Sequence, residues 1–232
     1  MQGFYPALQR TFSVARLHAY HDGEPAPSKL DIATRYAHNM DVAMRLSPAL
    51  HVLEVALRNN IHSAFSAKYG TATWYDTAEW LGYKQIGQIA VARTTLHKAQ
   101  KTETPDRLVA ELTMGFWAGL FAGYYEAYWR AQPDLLRAIF PHAPRHLRQR
   151  NAISALLQPL RTLRNRVSHW ERVAHLPDLA QRKQDIDRVV RSLCPAAACL
   201  LTHCDPFDGA LSAAAFAACR TKVQPCFEPE EA

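Results

Sequence analysis

Residues 46–62 read LSPALHVLEVALRNNIH, and this stretch decides the secondary-structure class of the chain. Its apolar residues recur every three or four positions, which is the spacing of a helix that turns one face toward a core. The apolar stripe consists of Leu50, Leu53, Leu57, Ile61 and Ala64. Ser47 is a typical N-cap and Pro48 suits the first helical position, so we predict that a helix begins here. Gly70 is predicted to end it after Tyr69.

Helical spacing on both sides of this stretch predicts an all-α protein, because no segment alternates apolar and polar residues over the length of a strand. Before it, we predict a helix over residues 7–20, a turn at Asp22-Gly23 and a helix that Ser28 caps. After it, helices are predicted at 84–99, from 104 through the aromatic stretch 116–129, at 133–140, at 144–169 with a kink at Pro159, and at 177–193. The chain then divides into an N-terminal helix and linker (1–27), a helical domain (28–193) and a partly helical tail with cysteines (194–232).

The aromatic residues between 116 and 129 are predicted to lie in the core. They are Phe116, Trp117, Phe121, Tyr124, Tyr125, Tyr128 and Trp129. Apolar and aromatic residues spread around a helix indicate burial, so we prefer this interpretation to a platform that stacks nucleic-acid bases.

Composition limits the class of protein. Of the 232 residues, 48% are hydrophobic, which is enough for a sizeable core and excludes wholesale disorder. The longest apolar stretch, residues 114–125, is too short to span a bilayer, so no membrane segment is predicted. Met1 is not followed by the basic and apolar regions of a secretory signal. We therefore expect a cytoplasmic protein.

The five cysteines all lie at or after residue 194, whereas a disulfide-stapled secreted domain would spread them through the fold. Cys194, Cys199, His203 and Cys204 lie close together, but their spacing lacks the paired Cys-x-x-Cys knuckles of a zinc site. We interpret the cysteines as free thiols and predict no metal. The chain also has no Gly-rich phosphate loop, and no cofactor is predicted.

Positive charge is concentrated in residues 137–172. The chain has 27 Lys+Arg against 21 Asp+Glu, a net charge of +6, and 20 of the basic residues are arginines. The window contains eight arginines, no lysine and one acidic residue, Glu171, which gives +7 and leaves the rest of the chain nearly neutral. Arginine binds phosphate as a bidentate fork, and a basic stripe on one segment is typical of nucleic-acid binding. The alternatives are a solvated helix face and the codon usage of a GC-rich genome.

The window ends in the motif LRNRVSHWE at residues 163–171. An Arg followed by four or five residues and a His also occurs at Arg16/His21, Arg45/His51 and Arg137/His142, so the spacing alone has little weight. Only Arg164/His169 combines an Asn after the Arg with a position late in a predicted helix and basic surroundings.

This motif resembles the signature of the HEPN superfamily, which is Arg, four to six residues and then His. Three blocks resemble abortive-infection (Abi-like, Abi-D/Abi-F) proteins in the family's order: LSPALHVLEVALRNNIH at 46–62, LVAELTMGFWAGLF at 108–121 and LRTLRNRVSHWE at 160–171. The resemblance covers residues 29–193 and implies a helical bundle of the HEPN type with additional N-terminal helices. It also implies a metal-independent endoribonuclease that acts in phage defence or as a toxin. The chain departs from the family at Trp170, where a second His is common.

The motif residues suit that chemistry. When the 2′-OH of RNA is the nucleophile, the protein needs a proton-transfer group and a cation, but neither a nucleophilic side chain nor a metal. Histidine titrates near pH 6.5, so His169 is the predicted acid–base group, and Arg164 is the predicted phosphate ligand. Asn165 is predicted to position these groups, and Arg161 and Arg166 to support RNA binding.

Glu54, Arg58 and His62 follow one another at i,i+4 spacing on the helix that begins near Pro48. They form either an ordinary ladder of surface ion pairs or a support for the site, in which Glu54 orients a motif residue or Arg58 adds a phosphate contact. Both interpretations stay open at this point.

The spacing of Arg164 and His169 bears on the oligomeric state. Residues five apart on a straight helix diverge by about 140°, so the two side chains should point to different sides. Either the helix is irregular there or another chain completes the site. HEPN proteins resemble one another in dimerising so that two motifs face one cleft, and we predict a twofold homodimer with a composite site.

The predicted partners are RNA (tRNA or mRNA), a second copy of the chain and an antitoxin. Two other functions stay open: a non-catalytic RNA-binding module in which His169 is structural, and a regulatory HEPN protein that binds a nucleotide or a partner protein. RNA cleavage in the presence of EDTA distinguishes the enzyme from both.

Overall fold

The computed structural model describes residues 3–227, and within that range the chain forms helices and no strands, which confirms the all-α class. Helices α1–α13 are Phe4–Phe12, Val14–His18, Lys29–Tyr69, Trp74–Thr77, Tyr83–Lys98, Pro105–Glu111, Met114–Gly119, Glu126–Arg130, Pro133–Ile139, Arg150–Ser168, Leu179–Leu193, Pro195–Cys204 and Ala213–Val223. Among the described helices, none combines the length and the apolar character that crossing a membrane requires.

Helix α3 is continuous from Lys29 to Tyr69, so the predicted boundary at Ser47-Pro48 is wrong. Ser47 does not act as an N-cap, because its hydroxyl donates to the carbonyl oxygen of Ala43 at 2.9 Å. An interior proline costs about 3 kcal/mol, but the residues around Pro48 are buried, and their burial outweighs that cost. The two ends of α3 agree with prediction. The Ser28 hydroxyl accepts from the amide of Asp31 at 3.0 Å, and the chain leaves the helix at Gly70 with φ +68°.

The aromatic stretch is predicted as one helix with residue 104, but the chain breaks it into α6, α7 and α8. Thr104 caps α6 as predicted, and α6 ends before Leu112, whose backbone is extended. Rings on all sides of one straight helix cannot all reach a single core, and the breaks let most of them turn inward. Tyr124 is an exception: it is 77% exposed, so its predicted place in the core is wrong. Phe116, Trp117 and Phe121 are completely buried, which confirms their predicted place in the core.

Three further boundaries differ from the predictions. The predicted helix 7–20 is interrupted at Ser13, whose φ of +72° is not helical, so α1 and α2 are separate. The predicted helix 144–169 begins only at Arg150, after a short 3-10 turn, and contains Pro159 in its interior. The last predicted helix begins at Leu179 rather than 177.

The described residues form two compact units. The terminal unit consists of residues 3–48, 166–181 and 205–227, and the central unit of 49–165 and 182–204. The terminal unit has its own core, made by Tyr5, Leu17, Tyr20, Leu30, Ile32, Ala33 and Phe227. The central unit buries a set of stacked rings in which Phe65 lies 4.5 Å from Trp74, centroid to centroid. The segments 1–27, 28–193 and 194–232 expected from the sequence stay a prediction.

The cysteines are free thiols in the structure. Cys194, Cys199, His203 and Cys204 lie in or next to α12, and in the part of the chain that the structure describes no three His, Cys, Asp or Glu side chains converge on a metal-sized site. The tail is partly helical, as expected, because α12 and α13 fall within it.

Candidate nucleic-acid interface

The candidate site residues fall in both units. Glu54, Arg58, Arg161, Arg164 and Asn165 belong to the central unit, and Arg166 and His169 belong to the terminal unit. Each group has its own surroundings, and the central unit is described first.

In the central unit, Glu54 of α3 holds Arg164 of α10. The Nε atom of Arg164 donates to Glu54 Oε2 at 2.8 Å, and an Nη atom donates to Oε1 at 3.4 Å. Glu54 Oε1 also accepts from the backbone amide of Met114 at 3.0 Å, where α7 begins. Arginine has five N–H donors, and Glu54 takes two of them, so the guanidinium is fixed in direction while other donors can reach a further acceptor.

Arg58 and His62 do not continue this pair as a ladder. His62 Nδ1 accepts from the indole nitrogen of Trp74 at 3.1 Å, and burial lowers the pKa of His62. The Nε atom of Arg58 is buried and has no hydrogen-bond partner among the described residues. The structure therefore shows no ladder of ion pairs here, but a contact of Glu54 with the motif residue Arg164.

The arginines of the basic window are not equivalent. Four of the eight form ion pairs with carboxylates of the same chain: Arg150 with Glu126, Arg164 with Glu54, Arg166 with Glu171 and Arg172 with Asp22. Arg137 and Arg145 are exposed, on α9 and on the 3-10 turn before α10. The arginines of the window thus belong to two units, and half of them are paired with carboxylates.

In the terminal unit, a groove of about 310 Å³ lies beside the end of α10. We call it the arginine groove, and its lining includes Arg16, Arg166, Arg172, Trp170 and His175. Three guanidinium groups, an indole ring and an imidazole therefore face one open space, together with the carboxylate of Glu171. Guanidinium groups bind phosphate, and aromatic rings stack on bases, so the lining has the composition of a nucleic-acid site.

The backbone around Trp170 explains how its ring comes to border the groove. Helix α10 ends at Ser168 and closes with two bonds: the Trp170 amide donates to Val167 O at 3.2 Å, and the Glu171 amide donates to Arg166 O at 2.8 Å. This is a Schellman motif, in which the left-handed residue is usually glycine. Here it is Trp170, at φ +58° and with 73% of its surface exposed. Its carbonyl oxygen accepts from a guanidinium nitrogen of Arg16.

The guanidinium of Arg172 is held from several sides. It donates to the carbonyl oxygen of Ala19 and to the carboxylate of Asp22. It also lies 4.7 Å from the ring centroid of Tyr20, in the position of a cation–π contact. The carbonyl oxygen of Arg172 accepts from Arg166 Nη1 at 3.3 Å, which links two of the three arginines of the groove.

His175 is the titratable group of the groove that the sequence did not single out. Burial lowers its pKa below the ordinary value of 6.5, and the charges of Arg172 and Arg166 lower it further. The imidazole is therefore neutral at pH 7 and can accept a proton. His169, the predicted acid–base residue, lies in the turn directly after α10 and is exposed, and Asn165 is exposed on α10.

Sequence reasoning missed Arg16, Trp170 and His175 for one reason. The groove brings residues 16–20 next to residues 166–175, and nothing in the local pattern of either segment indicates that contact. In the sequence, Trp170 stands out only as a departure from the Abi-like pattern. Its left-handed backbone conformation, which marks it as unusual, can be seen only in the structure.

Comparison of the chain with protein-family models, with curated proteins and with solved structures gives no match. The site is therefore interpreted from its own residues.

Proposed function

We propose that this chain is a metal-independent endoribonuclease of the HEPN type, and that the arginine groove is where it binds RNA. The observation that carries the proposal is the exposed Trp170 in a left-handed conformation, in a groove with three guanidinium groups and a neutral histidine. A bulky residue at such a backbone position costs about 1–3 kcal/mol, and such costs cluster at functional sites. A ring that is exposed at this cost is well suited to stack on a base.

The groove offers complementary contacts to one strand of RNA. Arg16 and Arg166 supply forked donors to phosphate oxygens, and Trp170 supplies a flat apolar surface for a base. Base stacking on an aromatic side chain contributes about 1–3 kcal/mol and depends little on which base is present. The carboxylate of Glu171 also lines the groove and repels phosphate there.

Cleavage needs two proton transfers and no group outside the chain. A neutral imidazole takes the proton of the 2′-OH as that oxygen attacks the adjacent phosphorus, and the P–O5′ bond breaks. The leaving O5′ receives a proton from an acid, and the products are a 2′,3′-cyclic phosphate and a 5′-hydroxyl. We assign the base to His175, because it lines the groove and its lowered pKa favours the unprotonated imidazole that accepts a proton. His169 is assigned as the acid, and guanidinium groups stabilise the charge on the phosphate oxygens.

The resemblance to Abi-like proteins adds the biological part of the proposal. It supports an enzyme that cuts tRNA or mRNA in phage defence or as a toxin, and we include an antitoxin among its proposed partners and the cytoplasm as its proposed location. Arg164 remains its predicted phosphate ligand, with Asn165 to position it. Glu54 then acts through Arg164 by fixing the guanidinium, at 2.8 Å from its Nε atom.

A second candidate function is RNA binding without cleavage. It is favoured by the ion pairs of Arg164 with Glu54 and of Arg172 with Asp22, which offset part of the charge that a transition state would use. In that case the groove holds RNA, and His169 and His175 take no part in proton transfer.

A cleavage assay on total RNA and tRNA distinguishes the two functions. It compares wild type, His169→Ala and His175→Ala in EDTA, with His146→Ala as the control, because His146 is an exposed histidine of the central unit. If the chain is an enzyme, wild type and His146→Ala should cut RNA, and His169→Ala and His175→Ala should not. If all four proteins bind RNA equally and none cuts it, the chain is a binding module.

The predicted homodimer is tested separately by complementation. If two chains make a composite site, Arg164→Ala and His169→Ala are each inactive, and a mixture that exchanges subunits recovers part of the wild-type rate. Light scattering should give twice the chain mass of 26.2 kDa. A monomer that cuts RNA at full rate would disprove the composite site and leave the single-chain mechanism of His169 and His175.

A further inference from the structure

The central unit contains a second cleft, with a volume of about 510 Å³. It lies where α5 begins, beside the turn between α7 and α8, and its far wall is α10. Small-molecule sites in proteins typically measure about 300–1,000 Å³, so this cleft is large enough for one nucleotide. We call it the tyrosine cleft.

Two exposed aromatic rings border the tyrosine cleft. Tyr83 is 90% exposed and Tyr124 is 77% exposed. Large aromatic side chains of this chain are otherwise mostly buried, and Phe116 and Trp117 nearby are completely so. The Tyr124 ring stands perpendicular to the ring of Tyr125, at 88° and 4.9 Å between centroids. The rings at the mouth therefore offer flat surfaces to a ligand that enters the cleft.

The wall behind these rings consists of Gly82, Tyr125 and Gln85, which pack closely and are joined by hydrogen bonds. A Cβ atom on Gly82 would lie 3.1 Å from both Tyr124 Cε1 and Tyr125 Oη, so a larger residue here would have to push one of these rings aside by a few tenths of an ångström. The Gly82 amide donates to Tyr125 Oη at 2.9 Å, and that hydroxyl donates to Gln85 Oε1 at 2.6 Å. Gln85 is buried, so this wall of the cleft is already held in place before a ligand binds.

The charge of the tyrosine cleft is positive. The residues that line it in the described part of the chain include Lys84 and Arg161 and no carboxylate. The Nε atom of Arg161 is buried and has no hydrogen-bond partner among the described residues. A buried donor without a partner lowers the free energy of unfolding by about 1–3 kcal/mol, and by more if it is charged. A ligand that supplies an acceptor would remove this penalty. Helix α5 also begins beside the cleft, and no side chain caps its first amides.

From these features we infer that the tyrosine cleft binds a nucleotide, with the base against Tyr124 or Tyr83 and the phosphate on Lys84 and Arg161. The site is separate from the arginine groove and shares no lining residue with it. The inference goes beyond the proposed ribonuclease and does not depend on it. A free mononucleotide and one nucleotide unit of an RNA strand present the same base and phosphate, and the test below distinguishes them.

The test is calorimetric titration of the full chain with AMP, adenosine, inorganic phosphate and a short oligoadenylate. The variants are Lys84→Ala and Tyr124→Ala, both at exposed side chains. The matched controls are Lys98→Ala and Val91→Ala, which remove an exposed cation and an exposed apolar side chain from the same helix, α5, outside the cleft. Because all four positions are exposed, circular dichroism should show that every variant folds.

AMP should bind wild type more tightly than adenosine or phosphate does, because only AMP fills both halves of the site. Tyr124→Ala should weaken AMP binding by roughly fivefold or more, as expected for the loss of one stacking contact, and Lys84→Ala should weaken AMP without changing adenosine. Tighter binding of the oligomer than of AMP assigns the cleft to an RNA strand, and the reverse assigns it to a free nucleotide. The inference is wrong if neither AMP nor the oligomer binds at millimolar concentration, or if Lys98→Ala loses as much affinity as Lys84→Ala.

Discussion

Glu54 and Arg164 form a half-buried ion pair in which the carboxylate also accepts the backbone amide of Met114. Arg164 Nε lies 2.8 Å from Glu54 Oε2 and Met114 N lies 3.0 Å from Glu54 Oε1. One side chain of α3 thus fixes the motif arginine on α10 and the start of α7. This arrangement makes Glu54 a positioning residue whose removal should affect both stability and the orientation of Arg164.

The first prediction concerns this pair. Glu54→Ala leaves the Arg164 guanidinium and the Met114 amide without their acceptor and should lower the free energy of unfolding by about 2 kcal/mol. Glu54→Gln keeps an oxygen for one of them and should cost less. Urea unfolding measures both. The comparison is Glu103→Gln, which breaks the exposed pair with Arg93 and should cost less than about 1 kcal/mol. Equal losses in the Glu54 and Glu103 variants would show that the pair has no special structural role.

The second prediction concerns pH and Asp31 in the terminal unit. The hydrogen bond from Ser28, followed by the contact with Arg220, holds the pKa of Asp31 below its ordinary value. Because the folded-state pKa is lower than the unfolded one, its stabilisation is present above the unfolded pKa and is lost as the pH falls through the folded pKa. Asp31→Asn should therefore be less stable than wild type at pH 7, and the difference should disappear in acid. In a Ser28→Ala background the difference at pH 7 should shrink, and a difference that stays constant with pH would contradict the argument.

The third prediction concerns His175. An NMR titration should give this imidazole a pKa below 6.5, first because it is partly buried and then because Arg172 and Arg166 are near it. Arg166→Ala removes one of these charges and should move the pKa of His175 back toward 6.5. Arg10→Ala, on α1 of the same unit, should leave it unchanged. An Arg166→Ala variant with an unaltered His175 titration would remove the physical basis for assigning His175 as the base.

The fourth prediction is that a single substitution at Trp170 raises stability and weakens RNA binding. Trp170→Gly removes a bulky side chain from a left-handed position and should raise the free energy of unfolding by up to about 1 kcal/mol, since little buried surface is lost. It should also weaken RNA binding by roughly fivefold or more, because the stacking ring is gone.

Gln100→Gly is the matched control for Trp170→Gly. Gln100 is exposed, has φ +52° and ends α5 with the same two bonds, from Gln100 N to His97 O and from Lys101 N to Leu96 O. This variant should gain similar stability with no change in RNA affinity. If Trp170→Gly binds RNA as tightly as wild type, the ring has no part in recognition.

The sequence predicted the helices well where the signal was local. Ser28, Thr104 and Gly70 begin or end helices as expected, because caps and left-handed termini depend on neighbouring residues. Pro48 misled the prediction, because burial on both sides of it stabilises a helix that local propensity alone would break. Long-range packing decided this boundary, and it cannot be read from local preferences.

The candidate site shows the same division. The sequence indicated Arg164, His169 and the possible support by Glu54, and the structure shows the contact of Glu54 with Arg164. The sequence did not indicate that residues 16–20 meet residues 166–175, so it predicted neither the arginine groove nor a role for His175. The sequence also did not indicate that Tyr124 is exposed. Its aromatic neighbours predict a place in the core, and the structure shows it at the surface.

The central claim is that the chain cleaves RNA through the substrate's own 2′-OH. The most direct measurement is mass spectrometry of the products from a short RNA and from the same RNA with a 2′-deoxy residue at the cleavage site, in excess EDTA. We expect a 2′,3′-cyclic phosphate and a 5′-hydroxyl from the first substrate, no cleavage of the second at that site, and no products with His169→Ala. Cleavage that EDTA abolishes, that proceeds at the 2′-deoxy residue, or that persists in His169→Ala would contradict the account.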